Sequence, residues 1–371
     1  MREGFGRPTS SIWNDSVYVW VQFCIFTVGV TFLFRIMSRK PSKKHAPPEL
    51  ATWMTDSPTA LLHLPLNQIT LLGSHNSGTY DIRGKTTSGD CDAKLAPYIK
   101  RIPGVALFVR QWAKCQRLTV AHQLEAGIRY LDVRVQVSPD GTSMRLCHSI
   151  CGIDLDDFLD QVKGFLDAHP LELVVLDVNH IYVSEETHHA HVLTRIIDRL
   201  GGTARIAPTA MPPSTSLHAF RAANVQVAVL YHHDPTALSH NVWPSHHITS
   251  PWPNVPTKAE VFAAAKTNLA DRLNQLATET HQLHVLQLVP TARGGDLIKH
   301  FSVLGFSKPV LKDAPAWLVA ETSTALHGCN VVLVDDCGFN QHAMAAAVAA
   351  INARKAATAS TASIHVDVPG Q

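Results

Sequence analysis

Chemistry-bearing residues stand directly after, or inside, short apolar runs along this chain: His75-Asn76, Asp132 with Arg134, His148, Asn179-His180, Tyr231 and Asp335-Asp336. A lone histidine beside a strand is most often a buried polar group satisfied by its neighbours. Two histidines, an arginine and several carboxylates converging on one rim would be a different matter. Two imidazoles and a guanidinium suit cleavage of a phosphodiester that carries a neighbouring hydroxyl. One imidazole removes the hydroxyl proton, the other protonates the departing alkoxide, and the guanidinium stabilises charge on the phosphoryl oxygens. Both imidazoles are usable near neutral pH because their unperturbed pKa is about 6.5.

Convergence requires elements that bring these positions to one place. Apolar, β-branched runs predict strands at Ile69–Leu72, Ile128–Val135, Met144–Cys147, Leu173–Val178, Val225–Tyr231, His284–Val289 and Val331–Val334. Several are near-continuous apolar stretches, as expected of strands covered on both faces. Helical patterns separate them. Asp154 precedes Leu155, Phe158, Leu159, Val162, Phe165 and Leu166, whose spacing of three and four marks a helix ending near Pro170. Further helices are expected from near Glu186, Thr257 and Asn340. Repeated strand–helix units over residues 55–352 predict an α/β fold, a TIM-like (β/α) barrel that is irregular or incomplete. In such a barrel the chemistry sits at the C-terminal ends of the strands. A doubly wound open sheet is the competing architecture, although no Gly-rich phosphate loop follows the first strand.

Outside 55–352 the sequence divides into an N-terminal head (1–16), a charge-free apolar run (17–34), a basic and Pro-rich linker (35–54) and an Ala/Thr/Ser-rich tail (353–371) expected to be disordered. The run VYVWVQFCIFTVGVTFLF, as a helix, would span roughly 27 Å, close to a bilayer core. It predicts a transmembrane helix. Arg35, Arg39, Lys40, Lys43 and Lys44 follow it, so the positive-inside rule predicts a single-pass protein with a cytoplasmic barrel. Formal net charge is only +2, which gives no reason to expect nucleic acid as a partner. The 7 cysteines lack any CxxC spacing and form neither a disulfide framework nor a zinc motif; Cys147 and Cys151 read as small buried residues. The remaining histidine groups read as structural. His188, His189 and His191 suggest a solvated helix face, and His232-His233 and His246-His247 are adjacent loop pairs. Of that region only Tyr231, at a strand end, suggests a substrate wall. Trp243 and Trp252 either rim an entrance for lipid or pack in the core.

Four segments carry a family likeness: Leu66–Tyr80 (LNQITLLGSHNSGTY), Gln123–Val135 (QLEAGIRYLDVRV), Cys147–Gly152 (CHSICG) and Phe165–Tyr182 (FLDAHPLELVVLDVNHIY). Together they resemble the X domain of phosphatidylinositol-specific phospholipase C, in particular the X-domain-only group that includes bacterial enzymes. The likeness extends over about residues 60–340 and implies an incomplete TIM-like barrel acting on a phosphatidylinositol-type membrane lipid. It implies that His75 is the base activating the inositol 2-hydroxyl and His148 the acid for the diacylglycerol oxygen. Arg134 matches the phosphate-contacting position of metal-independent members, where calcium-dependent members hold a carboxylate. Asp335 matches the carboxylate orienting the first histidine, with Asp336 its alternative one position on. Asp132 lines up with a neighbouring acidic position and Asn179 with one that other members use to contact the headgroup or bind calcium; both are expected to bind substrate.

Asn76 departs from the metal-independent pattern, which has Asp paired with the second histidine; calcium-dependent members use Asn there as a ligand. With Arg134 fixed nearby, a divalent cation would face a like charge, so no metal is expected and calcium is the alternative. No protein partner is predicted. Two other readings compete: a metal-dependent glycerophosphodiester phosphodiesterase on the same barrel, and a membrane-tethered lipid-binding pseudoenzyme, for which Asn76 speaks.

Overall fold

The structure is a computed structural model that describes residues 48–276 and 281–364. Nine strands form it: β1 Leu71–Ser74, β2 Ile128–Val137, β3 Met144–His148, β4 Ile150–Asp154, β5 Val174–Tyr182, β6 Val227–Tyr231, β7 Ile248–Thr249, β8 Leu283–Gln287 and β9 Val331–Val334. Parallel pairing runs β6–β5–β2–β1–β9–β8–β7. Hairpin β3–β4 continues antiparallel from the far end of β2. No ladder joins β6 to β7, so the sheet does not close; Trp243 bonds to both Val229 and Tyr231 at that side. The expected α/β, incomplete barrel is what the chain forms.

Period-two alternation sorts each strand into an inward and an outward track. Outward residues such as Leu72, Leu131, Leu176, Val229 and Val332 pack beneath the helices. Helix Leu155–Ala168 contributes Leu155, Phe158, Leu159, Val162, Phe165 and Leu166 to this layer, all buried. Burying each such side chain is worth about 1.5–3 kcal/mol. Inward residues Leu71, Tyr130, Val175, Leu230, Val285 and Leu333 fill the barrel. Gly73 belongs to the same track because a Cβ there would lie 2.8 Å from the Tyr130 ring. One step further along the inward track the residues turn polar: His75, Asp132, Asp177, His232 and Asp335.

Two pairings skip a residue. Leu72 and Gly73 lie opposite Ile128 and Tyr130, leaving Arg129 over; Val133 and Arg134 lie opposite Val178 and His180, leaving Asn179 over. Such bulges re-aim a side chain.

Several expectations need correction. No helix among the described residues is long and apolar enough to cross a membrane, against the single-pass assignment and the cytoplasmic placement that depended on it. The head 1–16 and the run 17–34 lie outside the described residues. The linker was drawn too long, since Met54 is already fully buried. The tail does not begin at 353: helix Ala343–Ile364 continues into it as far as Ile364, with Lys355 and Ala356 buried. An Ala-rich stretch has high helix propensity, and composition alone misread it. Helices Ala96–Arg101 and Pro103–Ala113 were not anticipated; with Ile82, Leu95 and Ile150 they form a small apolar cluster of their own against β4.

Candidate active site

His75 follows β1 on the inward track, where the backbone amide is tied to the end of β9 by a 2.9 Å bond to Val334 O. Its Nδ1 lies 2.8 Å from Asp335 Oδ1, and Asp335 Oδ2 accepts a bond from Ser307. A carboxylate behind Nδ1 fixes the tautomer that leaves Nε2 as the reactive nitrogen. Asp335 is thus the orienting carboxylate of the two candidates. Asp336 instead binds Arg117.

His148 sits at the tip of hairpin β3–β4, beside Ser149, whose φ of 60° makes the turn. The Ser149 amide donates to both oxygens of Asp90, at 2.9 and 3.0 Å. The His148 Nδ1 lies 3.0 Å from Ala113 O, a carbonyl that can only accept, so Nδ1 carries a proton and the second nitrogen, Nε2, is the one left to exchange protons. The two imidazoles stand edge to face with centroids 6.0 Å apart.

Cys115 lies between them. Its Sγ is 3.5 Å from His148 Nδ1 and 3.5 Å from Asn76 Nδ2. Burial pushes this thiol's pKa up, but His148 and then His75 more than offset that and bring it down to about 7. Burial would lower the His75 pKa; the Cys115 thiolate and then Asp335 overcome it and raise it to about 10. His148 is likewise raised against burial, chiefly by Cys115. The loop carrying Cys115 is clasped to the end of β9: Asp336 N–H donates to Cys115 O at 2.8 Å, and Gln116 Nε2 donates to His75 O at 2.9 Å.

Asn76 does not reach His148. Its Nδ2 is 3.0 Å from His75 Nε2, and its buried Oδ1 has no hydrogen-bond partner. The expected pairing with the second histidine is therefore corrected: the turn at Asn76 (φ 46°) aims the amide at His75 and Cys115, and Cys115 takes the place beside His148.

Arg134 is flanked by Asp132 and Asp90, which raise its pKa against burial, and its Nε is buried without a partner. Asp132 accepts the Asn76 amide at 2.8 Å and Asn179 Nδ2 at 2.7 Å. Asn179, at the bulge, also donates to Asp177 Oδ2 at 3.0 Å. Opposite stands His232, with Nε2 2.8 Å from Asp177 Oδ1.

Of the eight sequence-predicted site residues, His75, Asn76, Asp132, Arg134, His148, Asn179 and Asp335 come together here. Tyr231 does not. It lies on the outward track, fully buried, with its hydroxyl bonded to His189. The wall beside it is His232, one position on, because side chains alternate along a strand. Asp177 could have been found by the same alternation, two residues after Val175. Cys115 and Asp90 come from loops before and after the two helices between β1 and β2, and loops have no periodicity to read. The two tryptophans divide: Trp243 is core, while Trp252 is exposed with its ring 5.6 Å from that of His75.

Comparison with known proteins bears on the family and the fold. The PI-PLC X family model matches residues 105–194. Human PI-PLC X domain-containing protein 2 is 32% identical over 262 residues, covering 70% of this chain and 84% of that protein. The variant-surface-glycoprotein phospholipase C of Trypanosoma cruzi is 27% identical over 270 residues, covering 66% and 68%. Among solved structures, phosphatidylinositol-specific phospholipase C from Listeria monocytogenes superposes with a TM-score of 0.57 at 14% identity, covering 81% of this chain and 98% of that one. At such identity the likeness is one of fold. The extent and identity of the match to the human protein settle the relationship: the chain belongs to the PI-PLC X domain family.

Proposed function

We propose that this protein is a phospholipase C acting on phosphatidylinositol-type lipids, using His75 and His148 as acid–base partners. The observation that carries the reading is the pair itself: two imidazoles 6.0 Å apart, each with Nδ1 committed, His75 Nε2 being held by the neutral Asn76 amide, a bond the substrate hydroxyl would replace. In the reaction, His75 Nε2 takes the proton of the inositol 2-hydroxyl as that oxygen attacks phosphorus. The bond from phosphorus to the diacylglycerol oxygen breaks, and His148 Nε2 delivers its proton to that oxygen. The products are diacylglycerol and a cyclic inositol phosphate. Arg134, with an uncommitted donor, stabilises the charge gathering on the phosphoryl oxygens. Asp132, Asn179, Asp177 and His232 offer acceptors and donors to the ring hydroxyls. The raised pKa of His148 suits an acid. His75 acts as base in the state in which Cys115 is a thiol, because the sulfur anion is the leading influence holding its proton.

Calcium does not suit this donor set. A hard cation takes six to eight oxygens, whereas both Asp132 oxygens are engaged by Asn76 and Asn179 and a guanidinium is the neighbouring charge. The reaction proposed is therefore metal-independent.

The test is incubation of the full chain with labelled phosphatidylinositol, its phosphorylated forms and a glycosyl-linked form, with and without EDTA. Release of cyclic inositol phosphate unaffected by EDTA, and lost in His75→Ala and His148→Ala, is the expected result. Turnover that EDTA abolishes would favour the metal-dependent diesterase. No turnover on any of the lipids would leave a lipid-binding protein.

A further inference from the structure

On the outer side of the same rim, three residues with metal-binding chemistry meet. Glu186 and His189 stand at the start of helix Thr187–Arg199, and His233 directly follows the interior-facing His232 after β6. The rings of His189 and His233 stack in parallel, 4.0 Å apart at 8°. His233 Nε2 is 2.5 Å from Glu186 Oε1. One ligand atom from each of the three lies within 4.8 Å of the others.

Hydrogen bonding behind the rings decides which atoms are available. The Tyr231 hydroxyl donates to His189 O and lies 3.1 Å from His189 Nδ1, so it must accept from that nitrogen. His189 is therefore held in the Nδ1–H tautomer, with its Nε2 lone pair free. His233 Nδ1 is 2.7 Å from the Thr236 hydroxyl, which can accept as readily as donate. Metal-bound histidines almost always give their second ring N–H to an acceptor, commonly a carboxylate, backbone carbonyl or water, and a hydroxyl oxygen can serve in the same way. Here both rings already have one. The parallel rings must splay for both Nε2 atoms to meet one ion, and His233 (22% exposed) and Glu186 (76%) have room to move.

We propose that Glu186, His189 and His233 form a binding site for a borderline divalent cation of the zinc type, held by two imidazole Nε2 atoms, one carboxylate oxygen and a water. Two imidazoles and a carboxylate are an established zinc donor set. The ion would tie the segment after β5 to the segment after β6. It would thereby fix the strand end whose preceding residue, His232, faces Asp177 inside the candidate site. The other group of potential ligands, His75, Cys115 and Asp335, is less suited, since both Asp335 oxygens and His75 Nδ1 are already bonded.

The test is equilibrium dialysis of the full chain against zinc, a melting curve with and without it, and the visible spectrum with cobalt. Stoichiometric binding, a raised melting midpoint and a cobalt spectrum without a thiolate charge-transfer band are expected. Glu186→Gln should weaken binding at least tenfold, and Thr236→Val, which acts on a ligand through its second nitrogen, by about 10–100-fold. The joint variant His189→Gln/His233→Gln should abolish it. Absence of binding, equal affinity in Glu186→Gln, or a thiolate band that disappears in Cys115→Ser would each overturn the proposal. Glu186 is largely solvent-exposed, so its variant stays informative even where the double variant does not fold.

Discussion

Two charged clusters occupy opposite ends of one barrel, and they are built on different terms. At the N-terminal end Arg129 and Glu172 are both fully enclosed. Glu172 accepts from Arg129 Nε at 2.9 Å and from the Thr55 amide and hydroxyl at 2.7 and 2.6 Å. Arg129 spends its remaining donors on Leu124 O, Ile128 O and Ala51 O. At the C-terminal end Asn76 Oδ1 and Arg134 Nε are buried without partners, and Asn76 and Asp336 hold positive φ. A buried polar group left unmet costs about 1–3 kcal/mol. The closed cluster holds the fold. The open one keeps donors and acceptors in reserve for something that enters.

That contrast predicts opposite responses to mutation. The largest effect belongs to the open end: His75→Ala or His148→Ala should reduce lipid cleavage by about 10²–10⁴-fold. Stability should fall by less than at the closed end, because Asp335 keeps its bond from Ser307 and His148 releases only a backbone carbonyl and a thiol. Cleavage rate and denaturant midpoint measured on one preparation check both halves. Next comes Glu172→Ala at the closed end, which strands a buried guanidinium and should cost about 3–5 kcal/mol. Cleavage per folded molecule should stay near the parent's. A variant at either end that lost both properties together would erase the distinction.

A third prediction sharpens the open end through pH. Cys115 leads the influences that raise the pKa of both His75 and His148. Replacing it with serine lowers both pKa values. A base works unprotonated, so a lower His75 pKa moves the acidic limb of the kcat/KM profile to lower pH. An acid works protonated, so a lower His148 pKa moves the alkaline limb the same way. The whole bell should shift toward acid. Limbs that stay in place would show that Cys115 only packs between the rings.

How much of this was legible in the sequence follows from periodicity. Each strand assigned from its apolar run exists, with ends displaced by no more than two residues except that β5 runs on four further to Tyr182, because burial on both faces writes a continuous hydrophobic signal. β4 and β7 were missed; β7 has only two residues, too few for any period. His75, His148 and Asp335 were legible because each ends such a run. Tyr231 was misplaced by one position, since an apolar run buried on both faces does not say which track looks inward. Cys115 was illegible for another reason: it reaches the site through a loop held by Gln116 and Asp336, contacts made only in the folded chain. His189 and His233 lie 44 positions apart and meet only because β5 and β6 pair. Their neighbours in sequence, His188 and His232, point elsewhere.

The smallest expected effect lies where the open end meets solvent. Trp252 is 42% exposed, yet its ring stands 5.6 Å from that of His75, so it is a wall of the site on one face and a surface group on the other. An exposed indole beside a lipid-cleaving centre gains most when it can enter an interface, where one end is apolar and the other wet. Trp252→Ala should therefore leave stability within about 0.5 kcal/mol, as surface substitutions do. Cleavage of phosphatidylinositol in vesicles should fall several-fold, and cleavage of a short-chain, monomeric substrate should fall less. Equal losses on both substrates would assign the indole to His75 alone, and the rim of the open end would then carry no interfacial role.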